Sequence, residues 1–477
     1  MCYQVPLHID SNKIFIVNRS EIDGRLDPKM VLYKRKVHHS VYKKVRLKQI
    51  LIDKPQYGAS ESGITRYSIE VPRYIRISDI DEYGLISNEE LGVTAHLDND
   101  KYVLHENDIL IARSGATVGK AYIHKKTPYK CFYAGYLIRF RINPKLALPD
   151  FVFTYTQLNT YKEWVNAIQR PSGQPNINAE EYKSLEIPLP PIDIQNKIVS
   201  IIHTAYSKKY KKDSEAQQLL ENIDTYLLDE FGIIFPVFNT DLKNRMFIIN
   251  QRSIDNRWDP YYSQDYFRNA FTALESCRFP IVNLKTITKL ITSGITPKSG
   301  GDAYTEDKIN GIPFIRSGNI SIDGELDFDD LLYLKPTIHE TLMRSSQLQK
   351  NDILIAIVGA TIGQVGIYLY DGKANINQAI ALVRLKEEYD FQFIKELLKS
   401  SIGQLSLNRL KRPVARANIN LEEISTIKVV LPPLDKQHEI ALHIADIRQQ
   451  AKALQTEGKA ILEQAKNEVE QMLMGEA

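Results

Sequence analysis

The chain has 477 residues, 43% hydrophobic and 25% charged, with 61 Lys and Arg against 58 Asp and Glu for a net charge of +3. At roughly 100–200 residues per domain, that length predicts two to four domains with apolar material for more than one core. A pI of 8.4 is mildly basic and carries little weight alone. No apolar run is long enough for a membrane span. Met1-Cys2-Tyr3-Gln4-Val5-Pro6 lacks the regions of a signal peptide, which predicts a cytosolic protein. Cys2, Cys131 and Cys277 lie far apart with no CxxC between them, predicting reduced thiols and neither a disulfide framework nor a zinc site.

In chain order, the first landmark is IDGRLDP at 22–28, followed by a polar stretch at 53–73 and YIRISDI at 74–80. NDILIARSGATVG at 107–119 reads as a short alternating apolar strand running into a tight Gly-containing turn. AYIH at 121–124 and LIRFRI at 137–142 are further strands, and 150–167 has helical spacing. RPSGQPNINAEEYKSLEIPLPPIDIQ at 170–195 leads into a long polar segment with an apolar stripe, in which Ile198, Ile202, Ile223 and Leu227 are the packing positions.

The order then repeats. IDNRWDP stands at 254–260, an unmatched stretch at 285–313, FIRSGNI at 314–320 and NDILIAIVGATIG at 351–363, the last identical to its counterpart at ten of thirteen positions. Strands are expected at 365–370 and 380–385, and a helical segment at 390–408. RPVARANINLEEISTIKVVLPPLDKQ at 412–437 opens a second striped segment with packing positions Ile440, Ile444, Ile447 and Leu454. The offset between copies is 232 at the first landmark, 240 near Arg76 and Arg316, and 242 to 244 afterwards. Frames are kept while the stretches between them diverge, so two similar scaffolds carry two different inserts.

The expected fold class is α+β: two tandem, pseudo-twofold-related mixed α/β domains separated by two long antiparallel coiled-coil-like helices. The domains fall at 1–188 and 236–430, the helices at 189–235 and 431–477. The prolines before each striped segment mark its start, and a helix of ~39 residues would be about 58 Å long. A twofold relation makes the helices antiparallel and mutually packed; two helices packed separately on their own domains is the alternative.

Two such domains at a fixed spacing suit duplex DNA, and unlike inserts predict two unlike half-sites with a gap rather than a palindrome. Candidate contacts in the first copy are Tyr57, Ser60, Arg66, Arg76, Arg113, Lys120, Arg170, Ser172 and Gln174. In the second they are Lys298, Arg316, Asn319, Arg409, Lys411, Arg412 and Arg416. Arg pairs bidentately with guanine and Asn or Gln with adenine, while Lys and Ser more often hold phosphate. Asn176 and Asn418 recur in both copies, which favours a loop-fixing role for them.

The motifs YIRISDI, NDILIARSGATVGK, PSGQPNINAEEYKSLEIPLPP, SGITPKSGG, PFIRSGNI, NDILIAIVGATIG and RANINLEEISTIKVVLPP together resemble the specificity (S) subunits of type I restriction-modification systems over nearly the whole chain. The resemblance implies two target-recognition domains, each reading half of a bipartite site. It also implies antiparallel helices that dock two modification (methyltransferase) subunits, which use S-adenosylmethionine to methylate adenine, and restriction/translocase subunits that use ATP and Mg. The second copy has Val414-Ala415-Arg416 in place of Ser172-Gly173-Gln174, so that loop's role is not carried over.

Catalytic motifs are not evident. Asp259-Pro260-Tyr261-Tyr262 lacks the second proline of an amino-methyltransferase motif, and Asp27-Pro28-Lys29-Met30 stands at its counterpart, predicting a shared structural turn. Ser293 to Gly300 has the wrong spacing for an ATP-binding loop. Asp108 and Asp352 open repeated strands and are read as strand-edge residues rather than metal ligands. No cofactor is expected on this chain. The competing expectations are a self-sufficient DNA-modifying or cleaving enzyme with a degenerate active site, and a protein-binding scaffold.

Overall fold

A computed structural model of the chain describes residues 15–19, 28–36, 40–86, 91–97, 99–169, 175–239, 247–249, 259–298, 301–411 and 417–475. The chain divides into two compact units, one formed by Met1–Lys212 with Gln455–Ala477 and the other by Asp213–Leu454.

In the first unit a four-stranded antiparallel sheet runs in the order Gln56–Tyr57, Leu137–Phe140, Ile109–Ala112, Ala121–Ile123. The second unit repeats it with Thr288–Ser293, Ile380–Leu385, Asp352–Ala356 and Val365–Tyr368. Registers correspond: Ile109 faces Phe140 as Ile353 faces Val383. The central strand is apolar throughout rather than alternating because both of its faces are buried. Ile109 and Ile111 join the core beneath the sheet, while Leu110 and Ala112 join a second cluster with Ile75 and Tyr133. Ile353, Ile355, Leu354 and Ala356 divide in the same way.

The Asn-Asp pair that opens this strand has a physical reason in both copies. Asn107 and Asn351 sit at φ 70° and 74°, the only left-handed non-glycine residues among those described, and Asn tolerates that region better than most side chains. The next residue, Asp108 or Asp352, is buried and accepts from the backbone N–H three residues earlier, of His105 or Gln349. Each also meets an arginine, Asp108 with Arg141 just past the neighbouring strand at 3.4 Å and Asp352 with Arg384 within it at 2.7 Å. The strand-edge reading of both aspartates therefore agrees with their contacts. Burial pushes the Asp108 carboxyl upward against the pull of the His105 N–H, Arg139 and Arg141.

The inserts share a parallel strand pair, Arg73–Ile75 with Cys131–Tyr133 in the first unit and Phe314–Ile315 with Asn375–Ile376 in the second, and differ in the strands around it as they do in sequence. In the first unit Arg73–Ile75 pairs in parallel with Cys131–Tyr133, and Ile64–Thr65 pairs separately with Val93–Thr94. In the second a single four-stranded sheet joins Tyr304–Thr305, Leu332–Leu334, Ile312–Ile315 and Asn375–Ile376.

Each helical segment expected beside the frame is two helices. Pro149–Tyr155 and Asn159–Ile168 are separated at Thr156–Leu158, and Phe391–Lys399 and Ser401–Leu410 at Ser400. Two other helices of nine residues or more had no counterpart in the expectations, Pro28–Lys36 and Asp265–Glu275; the latter buries Phe267, Ala270 and Leu274 at three- and four-residue steps. Asn178 and Asn420 cap Ala179–Lys183 and Leu421–Ser425 with reciprocal Glu181 and Glu423 contacts, which accounts for the repeated Asn-x-x-Glu.

The long helices are Ile192–Phe231 and Leu434–Met474. Each starts just after a proline pair and is locked by a repeated glutamine. Gln195 accepts from Leu148 N–H and donates to the Pro190 carbonyl; Gln437 does the same with Asp390 and Pro432. Both units contain antiparallel segments of the two helices. In the first, Lys212 pairs with Glu457 at 2.6 Å, and a Cβ on Gly458 would lie 3.4 Å from Lys209 Cγ. In the second, the Tyr226 and His443 rings are 4.4 Å apart and Lys436 meets Glu230 at 2.8 Å.

The paired-helix and packed-on-domain readings both hold. Ile198 and Ile202 share one core with the sheet and with Leu462 and Val469; Ile223, Leu227, Ile440 and Ile444 share the other, with Ile447 partly buried at its edge. Leu454 is half-buried.

Ile198→Asp and Ile444→Asp each place a carboxylate at a position with 0% exposure. Each should cost on the order of 4 kcal/mol or more in the unit that holds it, measured as loss of one thermal transition by calorimetry. His124 is buried beside Tyr122, and burial, reinforced by His105, pushes its imidazole down to about 4 from 6.5. The unfolded chain then binds the proton first. Stability from this group is complete above pH 6.5 and is lost as pH falls toward 4; His124→Gln should flatten the acid side of the first unit's melting-temperature profile.

Candidate nucleic-acid interface

The repeated Gly-Ala-Thr turn follows the central strand of the frame in both copies. Gly115 and Gly119, and Gly359 and Gly363, all have φ between 79° and 93°, a conformation that favours glycine. A Cβ on Gly119 would lie 2.7 Å from Val165 Cγ1. In the first unit the Tyr182 hydroxyl donates to the Ala112 carbonyl and the Tyr161 hydroxyl to the Gly119 carbonyl. In the second, Gln404 Nε2 donates to the Gly363 carbonyl in the same place. The turn is tied to the following loop in both copies: Ser114 bridges Asn176 and Val358 bridges Asn418. Ile177 N–H donates to the Arg113 carbonyl and Ile419 N–H to the Ile357 carbonyl. Asn176 and Asn418 are thus at the tie itself.

Around the first turn several candidates converge. The Arg113 guanidinium stacks 4.9 Å over the Tyr57 ring, and the Tyr57 hydroxyl accepts from Ala179 N–H at 3.0 Å. Arg113 N–H donates to the carbonyl of Tyr136, a residue 65% exposed. A Cβ on the neighbouring Gly135 would lie 3.1 Å from Ser60 Oγ. Tyr57, Ser60, Arg113 and Tyr136 therefore form one patch, with a cation preorganised on an aromatic face. Tyr136 was not among the sequence candidates; its signal is a bulky aromatic directly after a glycine, between two strands.

Arg76 and Arg316 occupy matching places, each preceding a short 3-10 turn, Ile77–Asp79 or Ser317–Asn319. Arg76 pairs with Asp79 at 2.8 Å and keeps 41% of its side chain exposed. Arg316 reaches Asp330 at 3.2 Å and keeps 36%. Lys120 Nζ donates to the Ile80 carbonyl. Lys298 is exposed.

Three candidates are corrected by their surroundings. Arg66 has 0% exposure: its guanidinium donates to the carbonyls of Val71, Leu91 and Ile69 at 2.7–3.0 Å and lies 4.1 Å over the Tyr129 ring. It holds the insert together and presents nothing to solvent. Asn319 is buried, accepting from Arg316 N–H and donating to the Asp330 carbonyl. Arg409 donates to the Tyr262 carbonyl and stacks on the Tyr262 and Phe271 rings at 3.9 and 4.9 Å, clamping Ser401–Leu410 to the helix Asp265–Glu275. Lys411 donates to Asn408, and burial lowers its ammonium pKa. Arg170, Ser172, Gln174, Arg412 and Arg416 lie outside the described residues.

Asp259 Oδ1 accepts from Tyr261 and Tyr262 N–H, and Tyr261 packs on Phe267. In the second copy this segment is therefore a structural turn; its counterpart Asp27 lies outside the described residues. Among the described residues no cluster of His, Cys, Asp and Glu could hold a metal ion, and no helix is long and apolar enough to cross a membrane.

Two α+β units on one frame, each with its own insert beside a pinned glycine turn, define the class of protein. A family model described as the type I restriction modification DNA specificity domain matches residues 67–223 and 279–470, once in each copy. The chain belongs to that family. It is 32% identical over 193 residues to the type I restriction enzyme EcoBI specificity subunit of Escherichia coli, an alignment spanning 40% of either chain. Over 433 residues, 90% of either chain, it is 22% identical to the MjaVIII specificity subunit of Methanocaldococcus jannaschii. A solved chain from work on complex assembly and conformational transition of the type I R-M system shares the fold, with a TM-score of 0.51 and 15% identity, covering 91% of this chain and 98% of that one.

Arg113→Ala should lower affinity for a target duplex about tenfold or more while leaving the melting temperature within a degree or two. Arg66→Ala and Arg409→Ala should instead lower the melting temperature by several degrees. Fluorescence anisotropy and calorimetry on the same preparations separate the two outcomes.

Proposed function

We propose that this chain is the DNA sequence-recognition subunit of a type I restriction-modification complex, binding a bipartite, gapped, non-palindromic site. It directs partner adenine methyltransferase and restriction subunits to that site. One observation carries the reading: the frames of the two units agree strand for strand, while their inserts differ in both sequence and sheet topology. Target-recognition domains at 1–188 and 236–430 each read one half-site, and helices at 189–235 and 431–477 space them and dock two modification subunits.

In the first unit the Tyr57–Arg113 stack with Ser60 and Tyr136 supplies the planar donor and aromatic surface suited to base edges. Arg76, Lys120, Lys298 and Arg316 supply positive charge suited to phosphate. In this reading the chain performs no chemistry. S-adenosylmethionine, ATP and Mg are used by the partner subunits, and the complex works in the cytosol. The family membership and the specificity-subunit relatives support this assignment.

Replacing residues 30–165 with those of a relative should change one half of the methylated sequence, read by methylome sequencing of a host carrying the complex. A change in both halves, or in neither, overturns the proposal. Purified chain incubated with labelled S-adenosylmethionine and DNA should transfer no label without its partners; transfer by the chain alone would favour a self-sufficient enzyme.

A further inference from the structure

We propose that the first unit carries a phosphate-binding pocket beside its glycine turn, with Lys120 and Lys162 as the cations that hold the ligand. A cavity of about 330 Å³ opens there between the turn and the helix Asn159–Ile168. Tyr161 and Val165, both buried, supply its apolar wall. Thr117 and Lys120 line it from the turn, Lys162 and Asn166 from the helix. The four-residue step puts Lys162 and Asn166 on one helix face, so both reach the same space.

The charge balance of the cavity selects an anion. Lys120 gives one N–H to the Ile80 carbonyl, and its ammonium has others left. Neither Lys120 nor Lys162 forms an ion pair among the described residues. Glu82 is the one acid in the lining, and it is exposed. Two ammonium groups, the Thr117 hydroxyl and the Asn166 amide therefore surround the space. A neutral ligand would leave two like charges in one cavity uncompensated, and a cation would add to their repulsion. A phosphate group answers both, with lysine as its point-charge partner.

The second unit has the same elements and commits them internally. The offset is 244 at the turn and 242 in the helix, so Gln364 stands for Lys120 and Gln404 for Lys162. Gln404 Nε2 donates to the Gly363 and Leu398 carbonyls, each at 2.9 Å. Asn408, the counterpart of Asn166, accepts from Lys411 at 2.7 Å, and the Lys411 ammonium lies 3.3 Å from where a Cβ on Gly363 would stand. The frame thus folds in the second unit without either lysine, so their place in the first is not a requirement of the fold.

The ligand's phosphate has two sources. One, which rests on the DNA-recognition reading, is the backbone of the target duplex. Ala112, the residue before Arg113, exchanges backbone hydrogen bonds with Gly119 and Lys120 at 2.9 and 2.8 Å. The Arg113 stack and the pocket therefore start from neighbouring backbone. The other source is a free phosphate-bearing ligand.

Two measurements on the full chain separate them. The first is affinity for a duplex carrying the methylome-defined target, by fluorescence anisotropy across salt. Lys162→Gln, which installs the second unit's residue, should make the slope of log affinity against log salt shallower by about 0.9, the value of one phosphate contact on B-DNA. Lys162→Arg should keep the slope. The second is the first unit's melting temperature in inorganic phosphate against chloride at equal ionic strength. Phosphate also stabilises folded chains by exclusion from their surface, so the readout is the part of the rise lost in Lys162→Gln and in Asn166→Asp. A shallower slope identifies the duplex backbone as the ligand. A variant-sensitive phosphate shift with an unchanged slope identifies a free phosphate-bearing ligand. An unchanged slope together with no phosphate shift, or with one that survives both variants, overturns the proposal. A chain that bound no target duplex would sink the recognition reading, while the phosphate measurement would still decide this one.

Discussion

Neither unit can close its core with contiguous sequence. Beneath the first sheet, Ile198 and Ile202 arrive from one long helix and Leu462, Val469 and Leu473 from the other. Beneath the second, Ile223, Leu227 and Phe231 meet Ile440 and Ile444. A fully buried side chain of this size contributes about 1.5–3 kcal/mol, so each unit depends for a large part of its stability on a segment from the opposite repeat. The striped pattern of the helices and their antiparallel segments follow from that shared burial.

Above this base the frame spends its polar residues on fixing backbone. The aspartate–arginine contacts hold the start of the central strand, left-handed asparagine and glycine shape its two ends, and Tyr161, Tyr182 or Gln404 pins the turn from below. With these groups committed, the inserts and the turn patch carry the variation. The first unit's Arg113–Tyr57 stack has no counterpart in sequence, because position 357 is an isoleucine. The two units therefore differ not only in their inserts but at the turn that both share.

Repetition made most of the architecture legible. Blocks such as NDILIA and NINxEE mark the strand, turn and capped helix in both copies, and steps of three, four and seven mark both long helices. Burial of charge was not legible. Arg66 and Arg409 look like surface donors in a linear string, and only the fold shows carbonyls and aromatic rings converging on them. The helix interruption at Thr156–Leu158 has neither proline nor glycine to mark it, and at Ser400 the mark is Gly403, where a Cβ would lie 2.4 Å from Leu398 Cα. Leu110 and Ala112 read as one half of an alternating strand until the insert is seen to cover their face.

The exchange of helix segments also sets an order of events during synthesis. Residues 455–474, which complete the first unit, leave the ribosome only after the whole sequence of the second unit has been made. At about 5–20 residues per second, the first unit waits tens of seconds with Ile198 and Ile202 uncovered. A chain broken off within the second repeat never supplies Leu462, Val469 or Leu473, so its first unit stays open to chaperones and proteases. Completion of the first unit is thereby coupled to translation of the second.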